Sequence, residues 1–326
     1  MRIATHVGLP TESRLRLAKQ AGVTDIVTGP PGGWRTAQEG GLIPGVEAWS
    51  SMRKQVESAG LVLSVVESIP VSDRVMLGLA GRDADIESFG QAITDMGAAG
   101  IPILCYNWMP VIHVVRTSRT TRVRGGAMAT SYDHSLMENA PLTEVGVVTD
   151  QQLWESLEYF LRAIVPIAEE ANVQLAMHPD DPPLSPIRGI DRIMISVDNF
   201  QSMIDLVPSP NNGITFCQGC FAEMGVDIPQ AIHHFGQQNR IFFAHFRNII
   251  GAVPAFCETF HDAGDTDMFA AMEAYYEVGF EGPIRPDHFP VMGDEEPFSG
   301  TPSLLGRLYA LGYMKGLIEG IEKTRA

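Results

Sequence analysis

The stretch VEAWSSMRKQVESAGLVLSVV, residues 46–66, contains one complete step from a helix into a strand. Val46, Trp49, Met52, Val56 and Ala59 recur at helical spacing on one face, as an amphipathic helix requires. Gly60 follows; glycine readily supplies the left-handed residue that ends a helix and turns the chain. The run LVLSVV is then almost wholly apolar instead of alternating, which marks a strand covered on both faces by helices. The same step precedes and follows it. Leu15, Ala18 and Ala21 lead through Gly22 into VTDIVT, and Ile86, Phe89, Ile93 and Met96 lead through Gly100 into IPILCY. Ala-Gly-aliphatic therefore recurs at 21, 59 and 99.

Downstream, Thr149 and Gln152 form a capping-box pattern ahead of a long helix carrying Leu153, Leu157, Leu161, Ile164 and Ala168. Strands VQLAMH, GITFC, IFFAHF and GPIRPD then alternate with helices SVDNFQSMIDLV, IPQAIHHFG and DMFAAMEAYYEV. Counting RIATH at the start, eight short strands alternate with helices, which predicts a single (β/α)8 TIM barrel over residues 1–326. A doubly wound sheet is the rival, weakened because no GxGxxG follows the first strand. The period breaks once, in a stretch without a clear helix that reads as a loop insertion at about 107–148. Following strand four, such a loop would lie over the C-terminal face of the barrel, where active sites are built. It holds Arg116, Arg119, Arg122 and Arg124, suited to a carboxylate or phosphate because the guanidinium fork matches planar oxyanions.

Composition narrows the function. With 39 acidic and 23 basic side chains the net charge is −16, which argues against nucleic acid as a partner. No apolar run is long enough to span a bilayer and no signal-like N-terminus is present, so the expectation is a cytoplasmic protein away from the membrane. Four cysteines are too few for a disulfide scaffold.

Four successive strands end in a residue able to ligate a metal: His178, Cys217, His245 and Asp287. A barrel brings such strand ends to one face, where they can form a single coordination set. A closed structural zinc site is the competing reading. Asp180, Asp181, Arg247, Asn248, Arg285 and His288 crowd the same words and suit a polyhydroxylated substrate. Glu67 and Asn107 end strands three and four and are further candidate substrate contacts. His261 is a candidate general acid or base, and Asp267 a helix N-cap. Cys220, although it forms CxxC with Cys217, reads as incidental, and His233 and His234 as structural or exposed.

The words SVESIPV (64–70), LGLAGRDADIE (77–87), CYNWMPV (105–111), VRTS (115–118), MHPDDPP (177–183), HFRN (245–248) and RPDH (285–288) closely resemble the mannonate dehydratase family. The resemblance implies a xylose isomerase-like barrel and a hydro-lyase of hexuronate catabolism. Its members convert D-mannonate to 2-keto-3-deoxy-D-gluconate with a divalent metal, usually manganese. Its metal ligands fall on the same four residues. Thiolate softness would favour iron, cobalt or zinc, while sugar oxygens suit manganese; the expectation is Mn2+, with Fe2+ or Co2+ as alternatives. Arg116 is the first choice to neutralise the substrate carboxylate. His288 with His261 is the expected acid–base pair, next to Asp287. The family often forms dimers or larger homo-oligomers. Three departures stand out: THVG (5–8) replaces a Trp-Tyr-Gly strand end, TGPPGG (28–33) a Thr-Ala-Leu-His segment, and FSGTPSLLGR (298–307) a Pro-Gly-Tyr segment. They leave room for a sugar isomerase or epimerase on the same barrel, or for a silent homologue that only binds a sugar acid.

Overall fold

The computed structural model describes residues 1–32, 44–296 and 303–325. In chain order its strands are β1 (Arg2–His6), β2 (Asp25–Thr28), β3 (Val62–Glu67), β4 (Ile103–Asn107), β5 (Ser118–Arg122), β6 (Met128–Asp133), β7 (Gln174–His178), β8 (Asn212–Cys217), β9 (Ile241–Phe246), β10 (Ile249–Ala252), β11 (Ala255–Glu258) and β12 (Pro283–Pro286). The helices are α1 (Glu12–Gln20), α2 (Val46–Ser58), α3 (Asp73–Met76), α4 (Arg82–Ala98), α5 (Asp150–Ala171), α6 (Val197–Leu206), α7 (Gln218–Glu223), α8 (Ile228–Gly236), α9 (Met268–Glu277) and α10 (Leu304–Arg325).

The strands expected from the apolar runs close a parallel barrel in the order β1-β12-β9-β8-β7-β4-β3-β2, which excludes the doubly wound sheet. Inside it, Ala4, Val27, Val65, Ile103, Cys105, Ala176, Phe242 and Phe243 pack as one small cluster. Outside it, the helix stripes bury Trp49, Phe89, Phe160, Phe200 and Tyr275 against the sheet. The register aligns Asn107 with His178, Cys217 with His245, and His245 with Arg285. Parallel partners share a face of the sheet, so these strand ends meet at one mouth. No helix among the described residues is long and apolar enough to cross a membrane.

Gly22, Gly60 and Gly100 take φ of +78°, +72° and +72°, the left-handed stop read from the tripeptide. A cation from a helix of the neighbouring β/α unit ties off each of these ends. Lys19 Nζ of α1 donates to the Ala59 carbonyl beyond α2 (2.9 Å), and a guanidinium nitrogen of Arg53 in α2 donates to the Ala99 carbonyl beyond α4 (2.8 Å). Lys315 Nζ of α10 donates to the Ala21 carbonyl beyond α1 (3.3 Å). Thr149 caps α5 by accepting from the Gln152 N–H, but the Gln152 side chain donates to the Leu77 carbonyl, so only half of the capping box forms. Asp267 caps α9 as read.

The stretch read as a loop contains β5 and β6. With β10 and β11 they form an antiparallel sheet, β10-β11-β6-β5, beside the barrel. Tyr132, Ile249 and Phe256 are its small core. An isolated bridge from Met128 to Val291 ties it to the segment after β12.

Candidate active site

The four ligand candidates fall into two triads of donors that share Cys217. Donor atoms of Cys217, His245 and Asp287 lie within 4.8 Å of one another, as do those of His178, Cys217 and Cys220. The rings of His178 and His245 are 5.0 Å apart. His178 Nδ1 donates to the Pro179 carbonyl at 2.7 Å, which fixes the tautomer and leaves Nε2 as a lone pair. Both ring nitrogens of His245 are buried without a hydrogen-bond partner among the described residues; Nδ1 lies 3.3 Å from Asp287 Oδ2.

The electrostatics suit a bound cation. Burial disfavours a Cys217 thiolate, but the Cys220 thiol and the imidazoles of His178 and His245 pull Cys217 well below the normal thiol range. Burial also opposes ionisation of Asp287, yet Arg285, His288 and His245 hold it well below the usual carboxylate range. Burial and Arg285 work against charge on His245, but Glu67 and Asp287 push it up to about 10. A thiolate and a carboxylate thus meet imidazoles, one of which retains a proton where a dication would otherwise balance the charge. This donor set fits a divalent metal of borderline softness.

Beside the cluster opens a cavity of about 560 Å³, lined by Thr5, His6, Glu67, Ser68, Arg116, Arg119, Thr130, Glu258, Arg285, Asp287, His288 and Arg307 among others. Its floor holds Arg285 in a fork on Glu67 (2.6 and 3.0 Å), with a further bond to Asp287 (2.7 Å). His288, with φ of +42°, turns its Nδ1 to Glu258 Oε1 at 2.8 Å. Burial bears against its charged form, but Asp287 and Glu258 outweigh burial and raise it.

Several expected contacts are engaged elsewhere. Arg116 lines the cavity but forks onto Asp181 (2.5 and 2.8 Å) and also reaches Glu258 (2.8 Å), so its charge is already balanced. Arg247, fully buried, bonds Glu258, Asp181 and Glu223. Its stem crosses Gly219, where a Cβ would collide with it, which accounts for the glycine in FCQGC. Asp180 pairs with Arg192 and accepts the Met194 N–H. Asn248 is bonded to the backbone of His261, Thr266 and Ile249. Asn107 ends β4 in register with His178 and does not line the cavity.

His261 is not brought to His288 as a partner in the cavity. It is 1% exposed, its Nε2 donates to the Phe246 carbonyl at 2.7 Å, and burial pushes it down to about 4. It braces the end of β9 as a neutral ring.

Glu258, which joins Arg116, Arg247 and His288, escaped the sequence reading because it arrives on the side sheet. The turn signal GAVPA (251–255) between two short apolar runs could have revealed that hairpin. His6 and Arg307 were also missed. Both belong to the departing segments THVG and FSGTPSLLGR; residues 298–302 of the latter, and Gly33 of TGPPGG, lie outside the described residues.

Comparison with known proteins gives the family. The family model described as D-mannonate dehydratase (UxuA) matches residues 6–147 and 143–326. A mannonate dehydratase of Thermotoga petrophila is 36% identical over 323 residues, covering 87% of this chain and 89% of that protein. The crystal structure of mannonate dehydratase from Streptococcus suis serotype 2 superposes with a TM-score of 0.90 at 31% identity, over 100% of this chain and 96% of that one. A xylose isomerase domain protein from Planctomyces limnophilus, 13% identical, shares the fold with a TM-score of 0.61 over 99% of this chain and 97% of its own. With family model, curated relatives and solved structure in agreement, the chain belongs to the D-mannonate dehydratase family.

Proposed function

We propose that the chain dehydrates D-mannonate to 2-keto-3-deoxy-D-gluconate at the barrel mouth. A divalent cation, Mn2+ ahead of Fe2+ or Co2+, would be held by His178, Cys217, His245 and Asp287. The observation that carries this reading is the convergence of two imidazoles, a thiolate and a carboxylate beside a cavity lined in part by Thr5, Ser68 and Thr130. When bound, the cation supplies Lewis-acid stabilisation of the negative charge that develops on substrate oxygens.

The proton chemistry falls to side chains. His288 Nδ1–H donates to Glu258, which leaves Nε2 to take the proton from C2, and the Glu258 carboxylate stabilises the imidazolium that results. As the C2–H bond breaks, the C3–O bond breaks. The departing hydroxide leaves as water after taking the proton back from His288, and the enol at C2 becomes the ketone. Arg285, forked on Glu67, keeps Asp287 fixed at the edge of the reacting centre. A cytoplasmic place in hexuronate breakdown and a homo-oligomeric assembly belong to the same proposal.

The test is release of 2-keto-3-deoxy-D-gluconate from D-mannonate by manganese-loaded protein, with loss on chelation and recovery on adding the metal back. Stoichiometric metal binding without keto-acid release would overturn the assignment.

A further inference from the structure

Arg307 sits in the first turn of α10 and lines the cavity with Thr5, His6 and Ser303. The other three arginines that line it are already engaged: Arg116 balances Asp181 and Glu258, Arg285 balances Glu67 and Asp287, and Arg119 is not without a partner either. The Arg307 guanidinium, by contrast, has no carboxylate or carbonyl partner among the described residues and lies 5.7 Å from the Phe289 ring centre. Burial and the like charges of Arg285 and Arg14 bear against its own charge. A partly buried cation without a counter-ion is costly, and an anion entering the cavity would remove that cost. His6 also faces the cavity and accepts the Gly8 N–H on Nδ1 at 3.3 Å. This assigns the hydrogen to Nε2, adding a donor near Arg307.

We propose that Arg307 is the receptor for the carboxylate of the sugar acid, and that this ion pair makes the cavity select acids over their neutral counterparts. The inference rests on the sugar-acid reading above and replaces Arg116 as the carboxylate's partner. A guanidinium meets a carboxylate through two parallel hydrogen bonds, geometry that a neutral carboxamide cannot match with the same charge.

The probes are the 3-deoxy analogue of D-mannonate, which has no C3 hydroxyl to lose, and its carboxamide. Calorimetry on the manganese-loaded protein measures binding of each without turnover. The expected result is that Arg307→Gln weakens the acid roughly ten- to hundredfold while the amide stays within about threefold. Arg307→Lys keeps a preference for the acid with weaker binding, and carries the test alone if the glutamine variant does not fold. Equal weakening of acid and amide, an unchanged acid affinity, loss of acid preference in the lysine variant, or a wild type that binds neither probe would each overturn the inference. Selective loss of the acid in a protein that does not dehydrate D-mannonate would instead keep the receptor and remove the substrate assignment.

Discussion

On the β7–β12 side of the mouth, the side chains facing the cavity hold one another. Asp287 meets Arg285 and His245, His288 meets Glu258, and Glu258 meets two arginines. On the side formed by β1 and α10, His6 takes only a backbone N–H and Arg307 has no hydrogen-bonded partner among the described residues. The difference separates two tasks. Groups that move protons or hold a cation need fixed geometry before substrate arrives, whereas groups that choose the substrate need donors left unspent. Three of the family words, MHPDDPP, HFRN and RPDH, lie on the first side, and two of the three departures, THVG and FSGTPSLLGR, belong to the second.

The largest effect should come from the cation site. Cys217→Ala should abolish stoichiometric manganese binding and lower turnover by at least roughly a thousandfold, read by metal analysis and keto-acid release; retained metal at full stoichiometry would remove Cys217 from the set. Next, His288→Asn should lower kcat by about 10² to 10⁴ with KM changed little, and Glu258→Gln by a smaller factor, because it orients the ring without taking the proton. A His288 variant whose loss lay in KM alone would move His288 to the selecting side.

A third effect tests His261 as a brace. Its folded pKa, about 4, lies below that of a free imidazole, about 6.5, so the unfolded chain binds the proton first. The stability it contributes is complete above pH 6.5 and declines as pH falls towards 4, by ~3 kcal/mol at most. Denaturant midpoints of wild type and His261→Asn between pH 7.5 and 5 should therefore converge on acidification, and parallel curves would disprove the neutral buried ring. The smallest effect is expected at His6. His6→Ala should change kcat by no more than roughly threefold while raising KM, since one neutral hydrogen bond to a ligand is worth about 1 kcal/mol; a loss as deep as that of His288→Asn would dissolve the division between the two sides.

The barrel was legible because each of its strands is a short apolar run, several of them preceded by a helix with a glycine stop, as in 46–66. The side sheet was not. SRTTR and MATSYD are polar and partly exposed, without the alternation that marks a strand, and they gain their place from pairing with a hairpin more than 110 residues away. The metal candidates were legible for a similar reason, since each lies within one residue of a barrel strand's last position and parallel register carries them to one mouth. Glu258 and Arg307 enter from a side strand and a helix, and no periodicity in the barrel points to them. His261 shows the converse: the residue type was right for chemistry, but only the fold shows that its proton is spent on the Phe246 carbonyl.

The lysine and arginine ties between helix ends affect how the molecule opens. Each is a modest hydrogen bond, but each joins one β/α unit to the next, and the contact from Lys315 to Ala21 carries the row across the seam between the last helix and the first. A helix that swings out must break its own tie and leave a neighbour's carbonyl bare, so these units cannot open one at a time at independent cost. In amide hydrogen exchange, α10, α1, α2 and α4 should behave as one cooperative block, and the barrel should unfold at that seam no sooner than elsewhere in the block.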